Sequence, residues 1–413
     1  MKNIVIVGGG TAGWLVALYI NKFWKPNNVK VIASSEIGIL GAGESTTPNF
    51  RGLLEELEID ENQFINNTNA TIKSGNNFIN WRGDNKSVIH KFMGKDPKLE
   101  TIYGFHFDAR LVAEYFKNTA QKRGVEYIDG KIESFKQSLN GDITGVVLTD
   151  NTLIDSDFIF DCSGFNRLLI GNLFKEKWVS YKKYLTIDSA LAFFLPQEQN
   201  ITNKSTLYTK STALKYGWMW QAPLKNRWGC GYAFDSNYID INKAKSEVED
   251  YLNREISIVK TFGFNPGTYE RVWINNCIAI GLSASFLEPL ESTSLLTTIM
   301  MLRKLKEVDF NLNYKNEFNR YVLNINQQNL FFIRYQYMSD RDDSSYWINQ
   351  KNIEVPEKLK SMVSDDGILL IKKNEDIIRL FELDESKDKL VFAYDSYNTI
   401  FKKNSNKFSN NLI

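Results

Sequence analysis

Asn3-Ile4-Val5-Ile6-Val7-Gly8-Gly9-Gly10-Thr11-Ala12-Gly13 opens the chain, and Trp14 to Phe23 continues it with apolar residues at helical spacing. A β-branched run, a glycine turn and an amphipathic stretch, in that order, predict strand, turn and helix. Gly8 permits the tight turn, Gly10 lets the backbone approach a pyrophosphate, and Gly13 allows close helix packing. Thr11 and Ala12 begin the helix, whose free amides meet the anion. The fold class that follows is α/β with a Rossmann-like core. Such a glycine pattern suits many nucleotide enzymes, so the chemistry must be read from other stretches.

The next strand, Val29 to Ala33, should end on an acidic residue that holds a ribose, yet it ends on Ala33, followed by Ser34, Ser35 and Glu36. Glu36 or a serine takes that place, or water mediates; a solvated loop charge is the other reading of Glu36. Gly41-Ala42-Gly43-Glu44-Ser45-Thr46-Thr47-Pro48 has the glycines of a loop that comes close to a ligand and moves. Asp157 to Asp161 leads into Cys162-Ser163-Gly164, and Cys277 to Gly281 leads into Leu282-Ser283-Ala284, two more strand-to-turn elements. After Pro289 come Glu291, Ser292, Thr293 and Ser294, and the apolar run Leu295 to Leu302 reads as a helix. Ser292, Thr293 and Ser294 then lie at its N-terminus, where free amides and the dipole attract an anion. An ordinary serine/threonine cap is the plainer reading of the same residues.

With 413 residues the chain has enough length for one large or two closely packed domains. Lys plus Arg (50) nearly balances Asp plus Glu (49), so no long-range field draws it to nucleic acid or anionic lipid, and a small neutral partner is expected. Cys162, Cys230 and Cys277 are widely spaced, which argues for buried thiols in a reducing cytoplasm and against a disulfide framework or zinc site. The apolar start ends in glycines rather than an export site, and no uncharged stretch of about 18 apolar residues predicts a membrane span. Two histidines, His90 and His106, offer no metal constellation.

Trp218-Met219-Trp220-Gln221-Ala222-Pro223 places both tryptophans on one face if the segment is extended. Ala70-Thr71-Ile72-Lys73-Ser74-Gly75 runs ahead of Phe78-Ile79-Asn80-Trp81. With the glycine loop and Glu288-Pro289-Leu290-Glu291-Ser292-Thr293, these stretches resemble the flavin-dependent tryptophan halogenases, from Met1 to about Trp347.

The resemblance implies a glutathione reductase-type, aromatic monooxygenase-like FAD core over residues 1–303, interrupted by substrate-module insertions at about 73–99 and 182–235. A helical C-terminal substrate part covers 304–413. It implies FAD, supplied as FADH2 by a separate flavin reductase, with O2 and a halide ion as co-substrates. Gly8, Gly10, Thr11, Ala12, Gly13, Glu36, Ala42, Gly43, Glu44, Ser45 and Gly281 are the expected cofactor contacts, and Ser292, Thr293 and Ser294 the expected halide site. Hypohalous acid passes to Lys73, and Glu291 assists substitution on an electron-rich ring of tryptophan, indole or phenol type. Trp218, Trp220 and Pro223 wall the substrate off from the flavin. A homo-oligomer stays open. Two other readings are an aromatic monooxygenase on the same scaffold and a flavin-binding protein without turnover, the latter suggested by Ala33 and Leu282 at two cofactor positions.

Overall fold

The structure is a computed structural model that describes residues 3–38, 44–92, 102–197, 207–363, 369–381, 390–392 and 394–404. The opening residues form the expected strand, Asn3–Val7, and helix, Thr11–Phe23. That strand lies inside a six-stranded sheet. It pairs in parallel with Asn28–Ala33 on one side and Phe158–Asp161 on the other. Glu126–Asp129 and Cys277–Ala279 extend the parallel order outward, and Trp273–Ile274 closes one edge antiparallel. Such strands are buried on both faces and read as continuous apolar runs, as Ile4, Val5, Ile6 and Val7 do.

Three strand ends in this sheet carry the glycine turns, and they converge at one edge. A Cβ on Gly8 would stand 2.2 Å from the Cys162 carbonyl oxygen, and one on Gly281 2.8 Å from Ala12 Cβ. Ser283 Oγ donates to the Gly164 carbonyl at 3.2 Å. Both Gly8 (φ 114°) and Gly281 (φ 73°) lie in backbone space that side chains disfavour, so close approach and conformation each demand glycine there.

A second, seven-stranded sheet runs in the order Ile258–Gly263, Ser189–Pro196, Arg227–Phe234, Gly217–Pro223, Tyr208–Ala213, Gly75–Ile79, Ser87–Lys91. It joins the stretches near 75–91 and 189–234 that are far apart in sequence. It also takes in 258–263, outside the bounds read from sequence. A short three-stranded sheet, Glu44–Ser45, Gly104–Phe107 and Thr71–Lys73, bridges the two. The helices Thr293–Val308 and Lys315–Gln336 follow, the first over the apolar run Leu295 to Leu302 and the second within the C-terminal part expected to be helical. Among the described residues no helix is long and apolar enough to cross a membrane. Ala42 and Gly43, expected at the cofactor, lie outside the described residues.

Candidate active site

Lys73 ends the strand Thr71–Lys73, and Gly75 starts the next strand in a different sheet. The switch needs Gly75, whose φ is 153° and whose Cβ would stand 2.1 Å from the His90 carbonyl oxygen. The lysine is thereby held at the junction of the two sheets with no exposed surface. Its Nζ donates to Ser292 Oγ at 2.8 Å and to Ser45 Oγ at 3.1 Å, and the two hydroxyls are 2.6 Å apart. Ser45 belongs to the glycine loop and Ser292 to the helix start, so three sequence-distant stretches meet at one ammonium. Burial lowers the lysine pKa to about 7, while the nearby Glu291 charge raises it.

Glu291 and Ser292 are both left-handed, at φ 62° and 60°. For non-glycine residues this costs about 1–2 kcal/mol each, and strain of this kind gathers at functional sites. The turn that results starts the helix Thr293–Val308 without a side-chain cap. Its first amides and the positive end of its dipole sit beside the Lys73 hydroxyl partners, an arrangement suited to an anion. Thr293 is buried there, and Ser294 accepts from Thr298 Oγ1 at 3.1 Å through its carbonyl. The plain reading, a serine side-chain cap, is not what the helix uses.

Glu291 is buried, and both its oxygens are held. His90 Nδ1 lies 2.8 Å from Oε1, and Asn76 Nδ2 donates to Oε2. Glu288, one turn earlier, accepts from Tyr337 Oη at 2.7 Å, and burial raises its carboxyl to about 7. Trp218 Nε1 lies close enough to lower that value, yet neither it nor Glu288 Oε2 makes a hydrogen bond of good geometry.

Trp218 and Trp220 project from the strand Gly217–Pro223 onto one face, their ring centroids 6.0 Å apart. Met219 packs in the cluster on the other face, as alternation requires. Small residues stand opposite the rings: Ala213 and Ala233 pair with Trp218, and Ser211 and Gly231 with Trp220. A Cβ on Gly231 would come within 2.1 Å of the Trp220 ring. Pro223, at the end of the strand, accepts from Thr71 Oγ1 at 2.5 Å through its carbonyl, which ties the tryptophan strand to the lysine strand. His106 completes that tie: Nδ1 lies 3.3 Å from Thr71 Oγ1 and Nε2 2.9 Å from Thr209 Oγ1. Burial, and then the Lys73 charge, hold the His106 pKa well below its ordinary value. Trp347 is buried, donates from Nε1 to the Leu214 carbonyl at 2.7 Å and stacks on Tyr337, so it is a core residue.

At the glycine edge of the first sheet the residues fit a dinucleotide. An added Cβ on Gly10 would meet nothing within 4 Å, Thr11 Oγ1 is buried without a partner, and the helix Thr11–Phe23 has no acidic residue in its first turn. The open glycine, the orphan hydroxyl and the free amides suit a pyrophosphate. Glu36, by contrast, is exposed and paired with Lys131. Beside it a cavity of about 270 Å³ is lined by Ser34, Ser35, Asp129 and Thr149 among others. Asp129, which stands opposite Ala33 on the neighbouring strand, accepts from the Ser35 amide at 2.8 Å.

Sequence reasoning passed over two residues that this geometry brings forward, Asn76 and Gly231, and two contacts, those of Ser45 and His90. Asn76 and Gly231 carried a usable signal, since an amide at an inward strand position needs a partner and a strand glycine marks close approach. The Ser45 contact with Lys73 and the His90 contact with Glu291 depend on sheet pairing and had none.

The tryptophan halogenase family model matches residues 3–102 and 93–403. The chain is 28% identical to tryptophan 7-halogenase RebH of Lentzea aerocolonigenes, over 88% of this chain and 81% of that protein. It is similar to tryptophan 6-halogenase SttH of Streptomyces toxytricini, at 27% identity over 87% and 83%. Among solved structures, Xcc4156, a flavin-dependent halogenase from Xanthomonas campestris, superposes with a TM-score of 0.86 at 27% identity, covering 98% of this chain and 89% of that one. The SttH structure gives 0.86 at 26% identity, covering 97% and 90%. Against the monooxygenase and non-catalytic readings, these matches and the shared fold decide one point: the chain belongs to the flavin-dependent tryptophan halogenase family of enzymes.

Proposed function

We propose that this chain is the halogenating component of a two-component system, acting on an electron-rich aromatic of tryptophan, indole or phenol type. The observation that carries the reading is the fully buried Lys73, hydrogen-bonded to Ser292 at an uncapped helix N-terminus and adjoining Glu291. Bound as FADH2 at Gly8 to Gly13 and Gly281, the flavin supplies the electrons with which O2 turns halide into hypohalous acid. A separate reductase delivers it, because the chain has a single glycine fingerprint, already used.

Halide rests among Ser292, Thr293 and Ser294, beside the positive helix end. With a pKa of about 7, Lys73 is accessible both as ammonium and as amine near neutral pH. As ammonium it hydrogen-bonds and polarises the hypohalous acid; as amine it carries the halogen as a haloamine. The ring attacks the halogen as its bond to oxygen breaks, the Lys73 ammonium protonates the departing hydroxide to water, and Glu291 takes the ring proton, which returns to Lys73. On the haloamine path water leaves as the haloamine forms, and the nitrogen–halogen bond breaks in the attack. Trp218 and Trp220 separate the aromatic substrate from the flavin, and the seven-stranded sheet with the C-terminal helices forms the substrate module.

The test is a reaction of FADH2, O2 and an indole or phenol with and without halide, followed by mass spectrometry. A halogenated product that requires halide, with unmodified aromatic in its absence, is expected. A product that gains one oxygen without halide would mean that the tryptophans are no barrier and would overturn the reading.

A further inference from the structure

Glu291 is the reacting carboxylate of the proposed reaction, and the groups around it form a chain of contacts that nothing in that reaction assigns. Asn76 and His90 sit opposite each other in the pairing of Gly75–Ile79 with Ser87–Lys91 and reach the two oxygens of one carboxylate. Both are buried, as is Glu291 itself. On its far side His90 Nε2 lies 3.0 Å from Ser396 Oγ, in the C-terminal helix Tyr394–Asn404. That helix docks by Tyr397 on Phe332, at 5.2 Å, and Phe332 also flanks the His90 ring at 5.7 Å.

A carboxylate oxygen 2.8 Å from an imidazole nitrogen requires a proton between them. An ionised carboxylate is acceptor-only, so the proton belongs on Nδ1. On the other side of the ring Nε2 faces the Ser396 hydroxyl, which can serve as donor or acceptor to it. We propose that Asn76 and His90 are positioning residues that clamp the Glu291 carboxylate, one to each oxygen, and that Ser396 on the C-terminal helix holds the His90 ring in place. Two donors, one to each oxygen, fix the carboxylate orientation. The C-terminal helix thereby completes the active site through one hydroxyl.

The inference rests on Glu291 as proton acceptor, and two readouts keep the failures apart. The chain has two histidines, so nitrogen-15 labelling of histidine yields two imidazole spin systems, and the spectrum of His90→Asn leaves only that of His106. His90 is expected with a proton on Nδ1 in the wild type and in Ser396→Ala alike, because the Glu291 oxygen requires it there. A wild-type His90 protonated on Nε2 alone overturns the clamp, whatever the turnover of any variant.

Kinetics supply the second readout. Asn places an amide nitrogen where His90 has Nδ1, whereas Gln places one where it has Nε2. His90→Asn should retain at least half of kcat, and His90→Gln should lose about fivefold or more, the effect of one hydrogen bond. Flavin affinity should stay within about twofold in both, since neither contact is at the glycine turns that hold the flavin. Equal kcat losses in the two variants, or none in His90→Gln, would contradict the clamp. If Glu291→Gln stays active while the tautomer is as stated, the clamp holds and the proton-acceptor role falls.

Discussion

At the scale of single residues, the site is governed by the cost of burying charge. Lys73 has three nitrogen-bound protons when charged and two hydroxyl acceptors, so its ammonium is poorly compensated and its pKa falls from 10.5 to about 7. The unfolded chain therefore binds more protons than the folded one between about pH 7 and 10.5, and stability rises with pH across that window. Below pH 7 both states are protonated and the native state bears the buried ammonium. Lys73→Met removes this dependence, so the wild type should gain on the variant in Tm as pH rises from 7 to 10. A constant difference would show that the lysine is not desolvated. At Glu291 the expectation concerns rate: Glu291→Gln keeps the shape and should lower kcat about a hundredfold or more, with little change in substrate binding, as for a positioned proton acceptor. A loss below about threefold in steady-state turnover would make the residue structural.

At the scale of elements, what placed the tryptophans was legible and what made room for them was not. Period-two alternation put Trp218 and Trp220 on one face, and the strand Gly217–Pro223 does so. Gly231, across the strand pair, supplies the space, and its importance depends on a register that no local pattern encodes. Gly231→Ala should force the Trp220 ring or the backbone to shift, costing about 1–3 kcal/mol, measurable as a lower urea midpoint. An unchanged midpoint with unchanged tryptophan fluorescence would mean the ring has room to move. The helix Thr293–Val308 was expected from its apolar run, whereas the consecutive left-handed residues before it were not, because Glu and Ser carry no propensity for that region.

At the scale of the whole molecule, the nucleotide core was readable because strand, turn and helix are contiguous there: Asn3–Val7, Gly8 to Gly10 and Thr11–Phe23 follow one another directly. The second sheet was only half readable, since Gly75–Ile79 pairs in parallel with Tyr208–Ala213 across more than a hundred residues, and Ile258–Gly263 joins from further still. Long-range pairing of this sort leaves no local trace, yet it carries Asn76 and His90 to Glu291 and brings the tryptophan strand to the lysine strand. The central claim is that these separate pieces deliver an activated halogen to the ring through Lys73. The most direct measurement is product formation by Lys73→Met, given FADH2, O2, halide and an aromatic that the wild type halogenates, with FAD affinity determined alongside. The account predicts intact FAD binding, continued oxidation of FADH2 and no halogenated product by mass spectrometry. Halogenated product formed at most of the wild-type rate would contradict it.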